Sequence, residues 1–313
     1  MPIEWWYFSG HLQDDRGEEY SFHFVTFQRI TANGLAPQVL HASFSDHTKG
    51  LYNVAEKLAL APTPTSPGSF SFQAQGWRMA GDGLDYVLAF DIRDYFLLLR
   101  AVSRKPAVLH QETGLVSLGP GGQSYYYSRT RIEATGSLGI GRESRTVRGT
   151  IWMDHQWGDF NTAPVGWDWA ALQLDDGSEL MVSVVWDAAL RSPVASYGTY
   201  VAADGSTQHL KGHEVALKAT GIWTSPSNDT TYPMGWTVGA LPLSLVVTLT
   251  PVLKDSEFAA SAYIPVPYWE GAVTVKGTKD GVPIGGKGFV EMVGYASRKT
   301  GAGFGTPGAG PGR

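Results

Sequence analysis

The feature that most constrains this chain is period-two alternation, broken at short intervals by Asp-Gly and Asn-Gly pairs. In EEYSFHFVTF, Tyr20, Phe22, Phe24 and Thr26 fall on one face, and Ser21, His23, Val25 and Phe27 on the other, as a pleated strand requires. SELMVSVVWD and PLSLVVTLTPVL read the same way and carry the β-branched and aromatic residues that suit a pleated surface. Turn signals separate such runs at Asn33-Gly34, Asp82-Gly83, Asp176-Gly177, Asp204-Gly205 and Asp280-Gly281. These pairs tolerate the positive φ angles of a tight hairpin. Helix signals are scarce; NVAEKLAL is the candidate for one or two helical turns. Many short strands with almost no helix predict an all-β barrel or sandwich, not a βαβ fold.

The chain also repeats itself faintly. WYFSGHLQDDRGEEYSFHF near the start and WDWAALQLDDGSELMVSV from Trp167 onward share aromatics, a Leu-Gln pair, an Asp-rich turn and an alternating return strand. Hairpin chemistry alone produces part of this likeness; a duplication would make two related β units. Their boundary falls in the polar, Gly-bearing segment EATGSLGIGRESRTVRG, which divides the chain into residues 1–147 and 148–298. Residues 299–313, rich in Gly and Pro, are expected to form a flexible tail.

Composition removes several classes of function. At 313 residues the chain can bury a large core. A net charge of −5 leaves no electrostatic footprint for nucleic acid. The absence of cysteine excludes disulfides, thiol catalysis and thiolate metal sites while leaving the compartment open. There is no apolar run of about 18 residues for a transmembrane helix. MPIEWWYFSG enters strand-like sequence with no basic–apolar leader, so no signal peptide is expected. No His-x-x-x-His or His-Glu-x-x-His pair, nucleophile elbow or phosphate loop is present, and neither a metal nor a nucleotide cofactor is expected. GPGGQSYYYS reads as a turn feeding a tyrosine-rich strand that contains Tyr126.

The densest chemistry lies in WMDHQWG. On a regular strand Trp152, Asp154 and Gln156 share one face, and Met153, His155 and Trp157 the other, so only a bulge would bring Asp154 and His155 into one cavity. A carboxyl among buried aromatics holds its proton and becomes an acid able to donate. The plainer alternative has Asp154 or His155 capping a turn or satisfying a buried tryptophan N–H. Downstream, a two-residue turn at Asp176-Gly177 would set Trp167 and Trp169 near Trp186 and Val184, with Asp187 at the far end beside Gly166. One rim would then gather Asp154, His155, Trp157, Trp167, Trp169 and Asp187. Such an aromatic pocket with one or two acids suits a long apolar ligand; an ordinary tryptophan-rich core is the alternative.

Taken together, PIEWWYFSGHL, SYYYSRTRI, WMDHQWG…VGWDWAALQLDDGSEL, YWEGAV and GKGFVEMVGYA resemble the hydroxyneurosporene synthase/carotenoid 1,2-hydratase family and its lipocalin-like AttH relatives, across residues 3 to 296. The resemblance implies two consecutive lipocalin-like β-barrel domains. It also implies a hydro-lyase activity, water added without a cofactor to an isoprenoid double bond, whereas fungal relatives catalyse intramolecular cycloadditions. Asp154, His155 and Trp157 correspond to the hydratase Asp-His/Asn-x-Trp-Gly segment, and Asp187 to an acid ending the following strand. The opening EWWYFSGHL departs from the carotenoid enzymes. The expected mechanism has a protonated Asp154, or else Asp187, protonate the terminal carbon while His155 handles the water. Trp152, Trp157, Trp167, Trp169, Trp186 and Tyr126 would line the substrate. The expected partner is an apolar polyene or isoprenoid, collected by peripheral contact with a membrane. A carrier of an apolar ligand and a pericyclase are the competing expectations.

Overall fold

A computed structural model describes residues 2–29, 34–62, 68–259, 261, 263–264 and 266–296. The proposed tail, and Asn33 of the first turn pair, lie outside the described residues.

The described chain is almost entirely strand, arranged in two consecutive lipocalin-like barrels. The first sheet holds β1 (Ile3–Asp14), β2 (Glu19–Arg29), β3 (Leu35–Asp46), β4 (Leu51–Pro62), β5 (Ser69–Ala74), β6 (Trp77–Asp82), β7 (Asp85–Ile92) and β8 (Tyr95–Ser103). It is completed by the short β9 (Val108–Leu109) and β10 (Leu115–Ser117) and by the long β11 (Gln123–Ile140) and β12 (Glu143–Gly158). The second sheet holds β13 (Val165–Leu174), β14 (Glu179–Asp187), β15 (Ser192–Val201), β16 (Thr207–Lys211) and β17 (Val215–Thr224). After these come β18 (Thr231–Ala240), β19 (Leu245–Pro251), β20 (Glu257–Phe258), β21 (Tyr268–Lys279) and β22 (Val282–Val293).

The strand orders are β4-β3-β2-β1-β12-β11-β8-β7-β6-β5 and β16-β15-β14-β13-β22-β21-β19-β18-β17. Each begins as a four-strand meander whose first strand pairs with the last strand of its own sheet, the topology a duplication would leave. The likeness noted in the sequence superposes β1–β2 on β13–β14. Each sheet curls until its ends approach, β4 against β5 and β17 against β14 and β15, which shields edges that would otherwise recruit other strands.

The structure alters three expectations. NVAEKLAL lies within β4: its register with β3 supplies ladder bonds that outweigh a weak helical preference. The chain changes sheets at 159–164, not at 147/148, because residues 148–158 complete β12 and pair with both β1 and β11. Third, the DDG turn closes around three residues, Asp175, Asp176 and Gly177, with Gln173 opposite Glu179 and Gly177 at φ +81°. Asp280-Gly281, by contrast, is a two-residue turn with both φ angles positive and Lys279 opposite Val282. The extra residue shifts the β13–β14 register by one, which reverses the face of everything downstream.

Alternation divides the side chains into three layers. Trp6, Phe8, Phe22, Phe24, Leu40 and Phe44 fill the first barrel, and Leu172, Val182, Trp236, Trp269 and Val273 fill the second. The opposite phase of the same strands (Tyr7 and Val25 from the first sheet, Trp169, Met181, Ala272 and Phe289 from the second) forms a separate apolar layer where the barrels meet. That seam is pinned by polar contacts. His11 Nε2 lies 2.9 Å from the Gly288 carbonyl, Gln173 donates to the Thr130 and Ile151 carbonyls, and the fully buried Glu179 accepts from Lys105 and Arg131.

Candidate functional site

The seam is not filled. A cavity of about 470 Å³ opens within it, inside the ~300–1,000 Å³ range usual for small-molecule sites. The first sheet contributes Trp5, Tyr7, His23, Val25, Phe27, Tyr126 and Asp154; the second contributes Trp167, Trp169, Ser183, Val185, Tyr197, Tyr268, Glu270 and Glu291. The lining is mostly apolar and aromatic, with three carboxyl groups set into it.

Asp154 is 5% exposed and fully supplied with donors. Trp152 Nε1 donates to its Oδ1 at 2.7 Å, the Ser128 hydroxyl makes a short bond to the same oxygen, and the Tyr126 hydroxyl donates to Oδ2 at 2.8 Å. Tyr126 in turn accepts from Trp169 Nε1 at 2.9 Å. Behind Ser128 stands buried His110, whose two nitrogens bond to Ser128 and Thr199. Burial pushes the Asp154 carboxyl up to about 6 against the opposing pull of Ser128, Tyr126 and Trp152. The chain of donors is aimed at a negative charge.

Glu270 and Glu291 face one another across β21 and β22. Glu270 is 1% exposed, and its Oε1 accepts from the Tyr7 hydroxyl at 2.8 Å. Its Oε2 is buried without a hydrogen-bond partner. Burial, then the neighbouring Glu291, raises this carboxyl well above the usual range, which favours its protonated form. Glu291 accepts from Trp167 Nε1 at 2.9 Å, and burial lifts it to about 7. Tyr7, opposite Asp154 on the neighbouring strand and bonded to Glu270, links the acids of the two barrels. Among the described residues, no three His, Asp or Glu side chains converge as a metal-ligand set.

The sequence matches the AttH-like family over residues 1–295. The chain belongs to the AttH-like family. An AttH-type protein of Nitrosomonas europaea shares 28% identity with it, covering 94% of this chain and 93% of that one at a TM-score of 0.82. Kievitone hydratase from Nectria haematococca superposes with a TM-score of 0.75 at 18% identity, covering 93% of this chain and 88% of its own. CghA with Sch210972 superposes at 0.63 and 13% identity over the same shares. These last two share the fold. No curated protein matches this chain.

In this AttH-like protein the residues singled out from sequence separate into two groups. Asp154, Trp167, Trp169 and Tyr126 line the seam cavity. Trp152 stands behind Asp154 as its donor, so the plainer reading of that aspartate, a partner for a tryptophan N–H, also describes it. His155 and Trp157 point the other way, because β12 passes Asp154 without a bulge. His155 stacks on Trp6 and Trp157 and bonds to Glu4 at 2.7 Å. Trp186 and Asp187 are displaced by the hairpin register. Trp186 lies opposite Gly166 beneath the Arg191 guanidinium, and Asp187 caps a turn through the N–H groups of Ala189 and Leu190.

Sequence reasoning passed over Glu270 and Glu291, although both lie in quoted motifs, YWEGAV and GKGFVEMVGYA. Their signal is phase. Glu270 alternates with Tyr268 and Ala272, and Glu291 with Phe289 and Val293, so each is an acid in register with apolar residues on a buried face.

Proposed function

We propose that this AttH-like protein is a cofactor-independent hydratase that adds water across a carbon–carbon double bond of a carotenoid or another apolar isoprenoid or polyene. The observation that carries this reading is the Glu270 carboxyl: desolvated, with one oxygen unpartnered and its proton held more tightly by burial, in an apolar cavity that also holds a second, fully hydrogen-bonded acid, Asp154. Two carboxyl groups in unlike environments divide into a proton donor and a negative charge. Glu270 gives its proton to an alkene carbon. The faces of Trp167 and Trp169, together with the Asp154 carboxylate, steady the tertiary cation, and water attacks it. Asp154, the donor expected from sequence, takes the second role because the donors around it favour its ionised form.

The name kievitone hydratase puts one hydratase on this fold, an argument by analogy. The apolar lining would equally suit a carrier, but a carrier has no use for a buried acid with one oxygen left unpartnered, which costs stability. Incubation with a linear carotene in ¹⁸O-labelled water, followed by mass spectrometry, tests the reading. Product carrying one labelled oxygen is the expected result. Carotene recovered unchanged identifies a carrier, and an unlabelled isomer identifies a pericyclase; either overturns the hydratase.

A further inference from the structure

Adding water needs a group that takes a proton as well as one that gives it. Tyr268 lies two residues before Glu270 on β21, so both side chains leave the same face of the strand, about 7 Å apart along it, and both line the cavity. The Tyr268 hydroxyl meets two buried imidazoles from the first barrel, His41 Nδ1 at 2.8 Å and His23 Nε2 at 3.2 Å. Beyond His41, its Nε2 lies 2.8 Å from Glu56 Oε2, which also accepts from the Ser261 hydroxyl at 2.6 Å. Beyond His23, its Nδ1 lies 2.6 Å from Ser43 Oγ.

The proton positions follow from the ends of this chain. Burial pushes the Glu56 carboxyl up, but the bonds from His41 and Ser261 more than offset it; it is a carboxylate and only accepts. His41 Nε2 therefore carries hydrogen. Burial lowers His41 below its ordinary value despite Glu56, so the ring is neutral and its Nδ1 is a bare lone pair. The Tyr268 hydroxyl donates to that lone pair, its oxygen accepts from His23 Nε2–H, and His23 Nδ1 accepts from Ser43. The order hydroxyl, imidazole, carboxylate is the geometry by which a hydroxyl is activated. Phe258 lies parallel to His41 with centroids 4.0 Å apart, an aromatic face able to steady an imidazolium. Tyr52, Glu270 and Glu291 are the other titratable groups around Tyr268.

We propose that Tyr268 is the general base of the cavity, passing its own proton to His41 as it takes one from water, with Glu56 holding the imidazolium that forms. The inference rests on the water addition proposed above. As Glu270 protonates one carbon, the water oxygen bonds to the other and passes a proton to the Tyr268 oxygen, while the Tyr268 proton moves to His41 Nδ1. This leaves a Glu270 carboxylate and a His41 imidazolium paired with Glu56. Once product leaves, His41 returns its Nδ1 proton to Tyr268, and the proton Tyr268 took from water passes through the open cavity to Glu270; this restores the Nε2–H tautomer and the Glu270 acid, so no net charge or atom is consumed.

Two measurements on the full chain separate this proposal from the hydratase reading. The first needs no substrate: ¹⁵N NMR of histidine-labelled protein, with His41 assigned by its loss in His41→Gln. Expected is a neutral Nε2–H tautomer between pH 6 and 8, with an Nδ1 resonance that shifts in Tyr268→Phe. An Nδ1–H tautomer or an imidazolium over that range overturns the relay, whatever the activity. The second uses linear carotene in ¹⁸O water. Tyr268→Phe, which removes a single oxygen, should lower kcat ~100-fold or more while carotene affinity, read by tryptophan quenching, stays within about threefold. A kcat within about threefold of wild type overturns the relay and leaves the hydratase standing. A wild-type chain that forms no labelled product removes the hydratase, and the tautomer then decides alone whether Tyr268 is poised to pass a proton.

Discussion

The barrel interiors and the seam between them are built from the same strands, one residue apart. In β1, Trp6 and Phe8 turn inward and are packed on all sides, while Trp5 and Tyr7 turn outward and border the cavity. In β21, Trp269 and Val273 fill the second barrel while Tyr268 and Glu270 face the seam. The inward phase is almost purely apolar. The outward phase mixes aromatics with Asp154, Glu270, Glu291, His23 and Tyr126 and leaves about 470 Å³ unfilled. Lipocalin-like barrels are usually imagined as cups. Here the cups are filled by their own aromatic side chains, and the open volume lies where the two barrels meet.

Substitutions can break this comparison from either side. The largest effect is expected at the seam's acids. Glu270→Gln should reduce turnover of a linear carotene by ~10²–10⁴-fold, with Asp154→Asn falling short of that. Steady-state kinetics with both variants checks the order, and a reversed order would exchange the two roles. Next come the interiors: Trp236→Ala, at 1% exposure, should cost about 3–5 kcal/mol in denaturant unfolding. Trp167→Ala, half-buried at the cavity, should cost clearly less but weaken ligand binding.

The third effect concerns pH. The folded-state pKa of Asp154 is raised to about 6 from 3.8, so the folded protein holds this proton more tightly than the unfolded chain. Its stabilising contribution is complete below about pH 4 and is lost as pH rises through 6. Asp154→Asn should therefore flatten stability against pH between 4 and 7 by on the order of 2–3 kcal/mol, measured by urea unfolding at fixed pH values. The smallest effect belongs to the turn that set the hairpin register. Gly177→Ala, forced to φ +81°, should lower stability by about 1–2 kcal/mol and leave the cavity chemistry unchanged.

Asp154 was legible because an acid beside a tryptophan on one phase of a strand is a local pattern. The two-phase division of β2 and β12 was legible for the same reason, and it already excluded His155 from the Asp154 cavity unless the strand bulged. Trp186 and Asp187 were misplaced by a single residue of turn length. Composition does not reveal it. Glu270, Glu291, His41 and Tyr268 were visible as polar residues within alternating strands, but nothing nearby in the chain showed that they share a space.

The sequence by itself determined an all-β chain, its punctuation into hairpins, its repeated layout and which residues share a strand face. All of these follow from the two-residue period of a pleated strand and the φ preferences of turn residues, interactions that span a few positions. Tertiary structure alone decided which phase would close a barrel and which would face the other barrel. It also brought Tyr7 to Glu270 and His41 to Tyr268 across separations of more than 200 residues. Those meetings depend on how two curled sheets dock, and docking is set by the summed packing of the whole interface rather than by any local run of residues.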